Sequence, residues 1–315
     1  MKCLIIDVVS PAIAEELGKY MDVATCKELP PSKDELKAEI GDVDVLIMRV
    51  DPKIDKEVLD AAKNLKVIGV CSVGLNHIDM AAAKEKGIQV FNAPGLNDNA
   101  VAELTISKML DISRYTIPAC NDVKVNKNWD KYKFMGRELR GKTLGILGFG
   151  RVGQRVAKLA HAFQMYVVAY DPYLPEYVFD QEATKGVSVE ELLKISDFVT
   201  IHMPLTPETK NLIDSKSIAT MKEGAVVLNM ARGGIVNEQD MYEALKSGRV
   251  GGYATDVMEN ELAAGGLTEG AGFDSPLFEC DNFIVTPHLG AQTSDAARNI
   301  GVHIINRVKD ALSLK

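Results

Sequence analysis

Thr143-Leu-Gly-Ile-Leu-Gly-Phe-Gly-Arg-Val-Gly-Gln-Arg-Val-Ala157 is the stretch whose reading decides the fold. An apolar strand runs into glycines at Gly148, Gly150 and Gly153, and an amphipathic helix follows. This is the G-x-G-x-x-G order, in which each glycine has a separate task. Gly148 makes the tight turn, Gly150 lets the backbone approach a pyrophosphate, and Gly153 lets helix and strand pack closely. The phosphates would rest against unpaired N–H groups at the helix start, those of Arg151 and Val152 included, where the helix dipole favours negative charge. A glycine fingerprint alone also arises in purely structural turns, but two further features agree with it. Met165-Tyr-Val-Val-Ala-Tyr170 reads as a second strand, and it ends at Asp171. An acid about 20 residues beyond the glycines is where an adenosine ribose diol is held. Asp171 could instead only start the turn before Pro172; in this context the ribose role is favoured. It would also repel a 2′-phosphate, which favours NAD over NADP.

The chain of 315 residues is long enough for about two domains, each burying its own core. Hydrophobic residues make up 46% and charged residues 25%, as in an ordinary globular protein. No apolar run approaches the roughly 20 residues of a membrane span, and MKCLIIDVV at the N-terminus leads straight into a strand without a signal-peptide layout. The five cysteines, Cys3, Cys26, Cys71, Cys120 and Cys280, have no C-x-x-C spacing and form no metal-ligand cluster. Reduced thiols in a cytoplasmic protein without a metal are therefore expected. A net charge of −8 argues against nonspecific nucleic-acid binding, which needs a basic surface.

Outward from the fingerprint, the first ninety residues alternate strands and helices. Lys2–Val9, Val23–Cys26, Val43–Val50, Lys66–Cys71 and Ile88–Phe91 read as strands. Ser10-Pro11 opens a helix, Ser32 to Glu35 is a capping box, and Gly87 closes a helix that Asp79 caps. Such alternation predicts a parallel sheet covered on both faces. A long apolar-periodic helix from about Ala100 to Cys120 reads as the bridge into a second domain. Beyond Asp171, strands are expected at Phe198–Ile201, Ala225–Leu228, Gly252–Thr255 and Phe283–Val285. Ser188 with Glu191 reads as a capping box, and Asn237 and Gly248 bound a further helix. A last helix over Ser294–Leu312 is expected to return to the first domain. The predicted division is a discontinuous substrate domain, 1–97 plus 291–315, and an NAD-binding domain, 98–290.

Three polar residues lie just past successive strands of the second domain, where open α/β sheets place their ligands. Arg232 follows Val226–Ala231, Glu261 follows Tyr253–Met258, and His288 follows Ile284–Pro287. Hydride transfer at a 2-hydroxy acid needs a cation for carboxylate and carbonyl, an acid–base for the hydroxyl proton, and an anion to orient that base. An imidazole beside a carboxylate suits the last two tasks. Each residue alone could equally be a loop charge or a backbone partner; the three together favour chemistry. His77, His161 and His303 have no such setting and read as surface or packing histidines.

The motifs Gly141–Gly150, His202-Met-Pro-Leu-Thr-Pro-Glu-Thr209, Asn229-Met-Ala-Arg-Gly-Gly234, Asp256-Val-Met-Glu-Asn-Glu261 and Pro287-His-Leu-Gly290 carry a resemblance over nearly the whole chain. The sequence resembles the D-isomer-specific 2-hydroxyacid dehydrogenases, the family of D-3-phosphoglycerate dehydrogenase, glyoxylate/hydroxypyruvate reductase and D-lactate dehydrogenase. The resemblance implies two Rossmann-like or flavodoxin-like doubly wound α/β domains with an active-site cleft between them. It implies His288 as acid–base, Glu261 as its partner and Arg232 as the group that binds and polarises substrate. Cofactor contacts are implied from Arg151, Val152, Asp171, His202, Pro204, Thr209, Ala231, Asp256 and Gly290. It assigns the Cys71–Asp79 loop to the substrate carboxylate, with Ser72, Val73 and Gly74 offering backbone N–H groups as an anion nest. Asn97 and Arg49 are further substrate-side candidates, and relatives use the region around Trp129 for a homodimer contact.

Two departures stand out. Several phosphoglycerate-using relatives carry arginine where this chain has Val70, and Leu262 replaces the proline usual after the glutamate, opening a lengthened loop from Leu262 to Pro276. The serine-sensing C-terminal extension of some relatives is not expected. The specific expectation is an NAD-dependent enzyme for a small 2-hydroxy or 2-oxo acid, D-3-phosphoglycerate first and glyoxylate or hydroxypyruvate next. The alternatives are a non-catalytic NADH sensor of the corepressor type and an inactive homologue that keeps NAD only structurally.

Overall fold

The computed structural model describes residues 1–261 and 274–314. The chain divides into two compact units, Met1–Asn97 with Ala291–Lys315, and Asp98–Gly290. Most of the long loop that starts at Leu262 lies outside the described residues.

The smaller unit begins with β1 (Lys2–Ile5), α1 (Pro11–Leu17), β2 (Asp22–Thr25), α2 (Lys33–Glu39) and β3 (Val45–Met48). It continues through α3 (Lys56–Ala61), β4 (Val67–Val70), α4 (Met80–Glu85) and β5 (Gln89–Phe91). The strands form one parallel sheet in the order β2-β1-β3-β4-β5, the flavodoxin-like arrangement. Successive side chains alternate between two cores: Leu4, Leu46 and Ile68 face one, and Ile5, Ile47 and Val67 the other. Central β3 and β4 are buried throughout, whereas edge β2 is half-exposed, as helices on both faces of a sheet require.

The larger unit opens with α5 (Asp98–Arg114) and α6 (Thr116–Lys124). Then come β6 (Thr143–Leu147), α7 (Arg151–Ala162), β7 (Tyr166–Tyr170), α8 (Glu176–Gln181), β8 (Lys185–Gly186) and α9 (Val189–Ile195). The rest is β9 (Phe198–Ile201), α10 (Ser215–Thr220), β10 (Ala225–Asn229), α11 (Glu238–Lys246), β11 (Val250–Thr255) and β12 (Phe283–Val285). Its strands are parallel in the order β12-β11-β10-β9-β6-β7-β8. The order reverses between β6 and β9, the switch point at which such sheets receive dinucleotides. The closing helix, α12 (Ser294–Ala311), belongs to the smaller unit and packs on α1 and β4.

Local punctuation follows the sequence closely, with three differences. Ser32 and Glu35 form the reciprocal capping box, Asp79 accepts the Ala82 N–H, and Gly87 and Gly248 adopt the positive φ that glycine allows. Ser10 stands at the N-cap of α1 but its hydroxyl bonds no helix N–H. Ser188 accepts the Glu191 N–H, while the Glu191 carboxylate pairs with Lys185, so only half of that box forms. The helix expected from Ala100 to Cys120 is two helices, broken at Tyr115 with φ 55°. The break has a visible cause: the Arg137 N–H takes the Ser113 carbonyl at 2.9 Å, and Gly136 lies against Arg114 backbone too closely for a side chain. No periodicity within 100–120 could report that contact.

Candidate active site

The three fingerprint glycines occupy three different environments. Gly148 has φ +93°, and a Cβ there would lie 2.8 Å from His202 backbone atoms. A Cβ on Gly153 would lie 2.3 Å from the Gly148 carbonyl oxygen, so α7 starts directly against the turn. At Gly150 an added Cβ meets nothing within 4 Å; this is open space above a helix end. The N–H groups of Arg151 and Val152 have no acceptor among the described residues. Such a cradle fits a pyrophosphate.

Asp171 shapes the turn before Pro172 and also braces the glycine loop. One oxygen accepts the Tyr173 N–H at 3.0 Å and shapes the turn, while the other accepts the Phe149 N–H at 3.0 Å from the glycine loop. A carboxylate offers about four lone-pair positions, so acceptor capacity for a ribose diol remains. His202, after β9, is half-buried with its ring nitrogens inside, and desolvation pushes its imidazole down to about 3. Its Nε2 meets the Thr200 hydroxyl at 2.9 Å, and its Nδ1 is buried without a partner among the described residues. Orphaned buried nitrogens are rare, and this one suits a bound dinucleotide. The Thr209 hydroxyl donates to the Pro204 carbonyl at 2.7 Å and accepts the Thr206 N–H at 2.7 Å, so it shapes its own loop. Together these features fit NAD.

Arg232, Glu261 and His288 come together in the larger unit. His288 Nδ1 lies 3.2 Å from a Glu261 carboxylate oxygen; the other oxygen accepts the Met258 N–H at 3.2 Å. That hydrogen bond raises the imidazole above its ordinary value against the effect of burial, with Asp256 adding and Arg232 subtracting. Burial pushes the Glu261 carboxyl up, yet His288, the Met258 N–H and the Arg232 charge outweigh it and the net shift is downward. Both partners therefore favour the ion pair. Arg232 is exposed, its guanidinium donating to the Ala231 carbonyl at 2.6 Å, and its charge is felt at both members of the pair.

His288 sits at φ +53°, a left-handed conformation that costs a non-glycine residue about 1–3 kcal/mol. Asp256, buried at the end of β11, holds it there. One of its oxygens accepts the Leu289 N–H at 2.8 Å and the Thr286 hydroxyl at 2.5 Å. The other accepts the Gly290 N–H at 2.6 Å, and the Asp256 carbonyl accepts the His288 N–H at 3.0 Å. Sequence reading placed Asp256 only among the cofactor contacts; the structure adds this clamp on the loop. Asn229, whose role was not foreseen, does similar work for Arg232: its amide donates to the Arg232 carbonyl at 2.9 Å and accepts the Ala231 N–H at 3.1 Å. An asparagine at a strand end, two residues before the bonded N–H, was the available signal.

In the smaller unit, the Ser72–Gly74 loop presents its N–H groups without acceptors among the described residues. Its carbonyls are turned away: Ser72 accepts the Ala93 N–H at 3.0 Å, and Val73 accepts the Asn92 amide at 2.7 Å. The Ser72 hydroxyl donates to the Arg49 carbonyl at 2.9 Å. Arg49 itself donates to Gln292, another residue sequence reading missed, at 3.3 Å, and its backbone N–H is held by buried Asp7. The Asn97 side chain makes no hydrogen bond among the described residues. Burial lifts the neighbouring Cys71 thiol up to about 12, so it is no nucleophile. Among the described residues no acidic, histidine or cysteine group could hold a metal, and no helix is long and apolar enough to cross a membrane.

A family model described as D-isomer specific 2-hydroxyacid dehydrogenase, NAD binding domain, matches residues 106–290. A D-3-phosphoglycerate dehydrogenase of Methanocaldococcus jannaschii is 42% identical over 95% of this chain and 55% of its own. A hydroxypyruvate reductase of Thermotoga maritima is 41% identical over 90% of this chain and 89% of its own. Among solved structures, D-lactate dehydrogenase from Aquifex aeolicus, complexed with NAD and lactic acid, is 30% identical. It superimposes with a TM-score of 0.81, covering 99% of this chain and 96% of that one. The chain spans about half the length of the phosphoglycerate dehydrogenases it matches.

Proposed function

Because the chain belongs to the D-isomer specific 2-hydroxyacid dehydrogenase family, we propose that it interconverts a D-2-hydroxy acid and its 2-oxo acid with NAD. The observation that carries this reading is the His288–Glu261 contact at 3.2 Å with the Arg232 charge beside it. When bound, NAD supplies or accepts the hydride at the substrate C2. His288 has Nδ1 committed to Glu261, which leaves Nε2 to protonate the carbonyl oxygen in reduction and to deprotonate the hydroxyl in oxidation. Glu261 keeps the ring oriented and stabilises its charged form. Arg232 binds the carboxylate and polarises the carbonyl, and the Ser72–Gly74 amides with Arg49 are assigned to the carboxylate end. Asn97 is assigned to the substrate side without a specific contact. D-3-phosphoglycerate stands first as substrate and glyoxylate or hydroxypyruvate next. Val70, fully buried in β4, offers a phosphate nothing. The non-catalytic sensor gains no support from the site or from the relatives named above.

The test is NADH oxidation with phosphohydroxypyruvate, hydroxypyruvate, glyoxylate, pyruvate and a bulky aromatic 2-oxo acid. Turnover is expected with one of the small acids; tight NADH binding without turnover on any of them would sink the dehydrogenase reading. The pH profile supplies a second check. Reduction needs protonated His288, whose folded value lies above the ordinary 6.5. The rate is therefore expected to be flat at acid pH and to fall as pH rises through that raised value. Glu261→Gln removes the main cause of the rise, so the break should move toward acid; an unmoved break would remove Glu261 from the mechanism.

We further assign the chain to the cytoplasm, on its five free cysteines, and to a homodimer. The stretch after α6 exposes Val125, Tyr132, Met135 and Trp129, the last 85% exposed. Buried Asp122 braces the start of that stretch through Asn126 at 2.8 Å, Asn128 at 2.9 Å and Lys133 at 3.0 Å. A cluster of exposed aromatic and aliphatic side chains among lysines fits a contact with a second copy of the chain. Light scattering should give a dimer mass for the wild type and a monomer for Trp129→Glu; a monomeric wild type would overturn the assignment.

A further inference from the structure

We propose that Glu238 is a positioning residue for the acid–base pair: from the first turn of α11 it holds the 258–261 turn and thereby sets the Glu261–His288 contact. The inference deepens the assignment of His288 as acid–base and rests on it.

Glu261 reaches His288 from a short turn, Met258 to Glu261, that among the described residues belongs to no helix or strand. Its own N–H bonds the Met258 carbonyl at 3.3 Å, one carboxylate oxygen returns to the Met258 N–H at 3.2 Å, and the other meets the imidazole at 3.2 Å. Any displacement of the turn therefore displaces the carboxylate that orients the ring. The Glu259 N–H, in the middle of the turn, donates to a Glu238 carboxylate oxygen at 2.8 Å. That bond spans 21 positions in the chain and ties the turn to α11. The start of α11 is itself fixed, because the Asn237 side chain accepts the Asp240 N–H at 2.9 Å.

The turn is gripped from a second side. A Cβ on Gly233 would lie 2.2 Å from the Met258 carbonyl oxygen and 2.7 Å from the Glu259 nitrogen. Backbone thus meets backbone between the Arg232 loop and the Glu261 turn, leaving no room for the turn to slide that way. Glu238 opposes movement the other way. An acid at a helix start could be there only for the dipole, but the Glu238 carboxylate is half-buried and aimed off the helix at another loop's N–H. Burial raises its value, the Glu259 N–H lowers it, and the charges of Glu259 and Glu261 raise it again, for a net rise. Three carboxylates so close repel one another, so what the position contributes is an acceptor at the right reach rather than charge.

Two substitutions separate reach from charge. Glu238→Asp keeps the charge and stays compatible with a helix start, but falls a methylene short of Glu259. Glu238→Gln keeps the reach and an acceptor oxygen while losing the charge. Kinetics of 2-oxo acid reduction by NADH would be measured for both, with Glu238→Ala, His288→Ala and wild type alongside. Glu238→Asp is expected to lose about ten- to a hundredfold in kcat with the KM for NADH little changed, since misplacement of about 1 Å costs on that scale. Its pH profile should break nearer to acid, because His288, which faces Glu261, Asp256 and Arg232, loses part of its Glu261 contact. Glu238→Gln should restore both kcat and the break. Wild-type kcat and pH profile in Glu238→Asp, or equal impairment of Asp and Gln variants, would overturn the proposal. Turnover surviving in His288→Ala would instead bring down the acid–base assignment and this inference with it, which tells the two failures apart.

Discussion

His288→Ala is expected to lower kcat for 2-oxo acid reduction by about a hundredfold to ten-thousandfold, the range of a lost general acid. The NADH dissociation constant should change little. The imidazole is half-exposed, at 52%, and among the described residues its side-chain hydrogen bond is to Glu261, so its removal opens no closed core. The backbone that carries it is held through Asp256, which the substitution does not touch. Loss of turnover with intact binding therefore separates proton transfer from folding. Calorimetric NADH titration beside steady-state kinetics checks it, and an active His288→Ala enzyme would end the acid–base assignment.

The glycine pair Gly150 and Gly153 carries the other large effect, with opposite signatures from one added methyl group. Gly153→Ala places a Cβ 2.3 Å from the Gly148 carbonyl oxygen, backbone against backbone in a closed turn. Overpacking of this kind costs about 1–3 kcal/mol, so the melting temperature should fall along with NADH affinity. Gly150→Ala meets nothing within 4 Å in the protein itself. Its φ of −70° suits any residue, so thermal stability should hold. NADH binding should nevertheless weaken at least about tenfold, because the methyl group occupies space the pyrophosphate must approach. Equal stability of both variants, or unchanged NADH affinity in Gly150→Ala, would show that the fingerprint glycines do not divide their tasks in this way.

The two parallel sheets were legible because every strand except the two-residue edge strand β8 declares itself over a few residues. The unbroken burial of β9 and β10 shows in Phe198–Ile201 and Ala225–Leu228, where every residue but Thr200 is apolar. Serine, aspartate and glycine punctuation marked several helix ends, at Ser32, Asp79, Gly87 and Gly248 among them. The break at Tyr115 was not legible, since it is made by residues 136 and 137 arriving from another part of the chain. Ser10 and the Ser188 box show a related limit: a cap residue can stand in place while its side chain, or its partner's, finds other company.

Sequence alone determined the α/β class, the glycine cradle before α7 and the identity of the three polar residues past the strands of the larger unit. Those depend on residue type and on spacing within a few positions, which the chain states directly. Tertiary structure alone decided how these residues are held. The Asp256 carboxylate clamps an N–H 34 positions away, Glu238 reaches a turn 21 positions on, and Arg49 meets Gln292 across 243. Such bonds exist because parallel strands bring the ends of distant segments side by side at the carboxyl edge of each sheet. Hydrophobic periodicity specifies which face of a strand is buried, but it carries no record of which polar groups will meet once the strands have found their order.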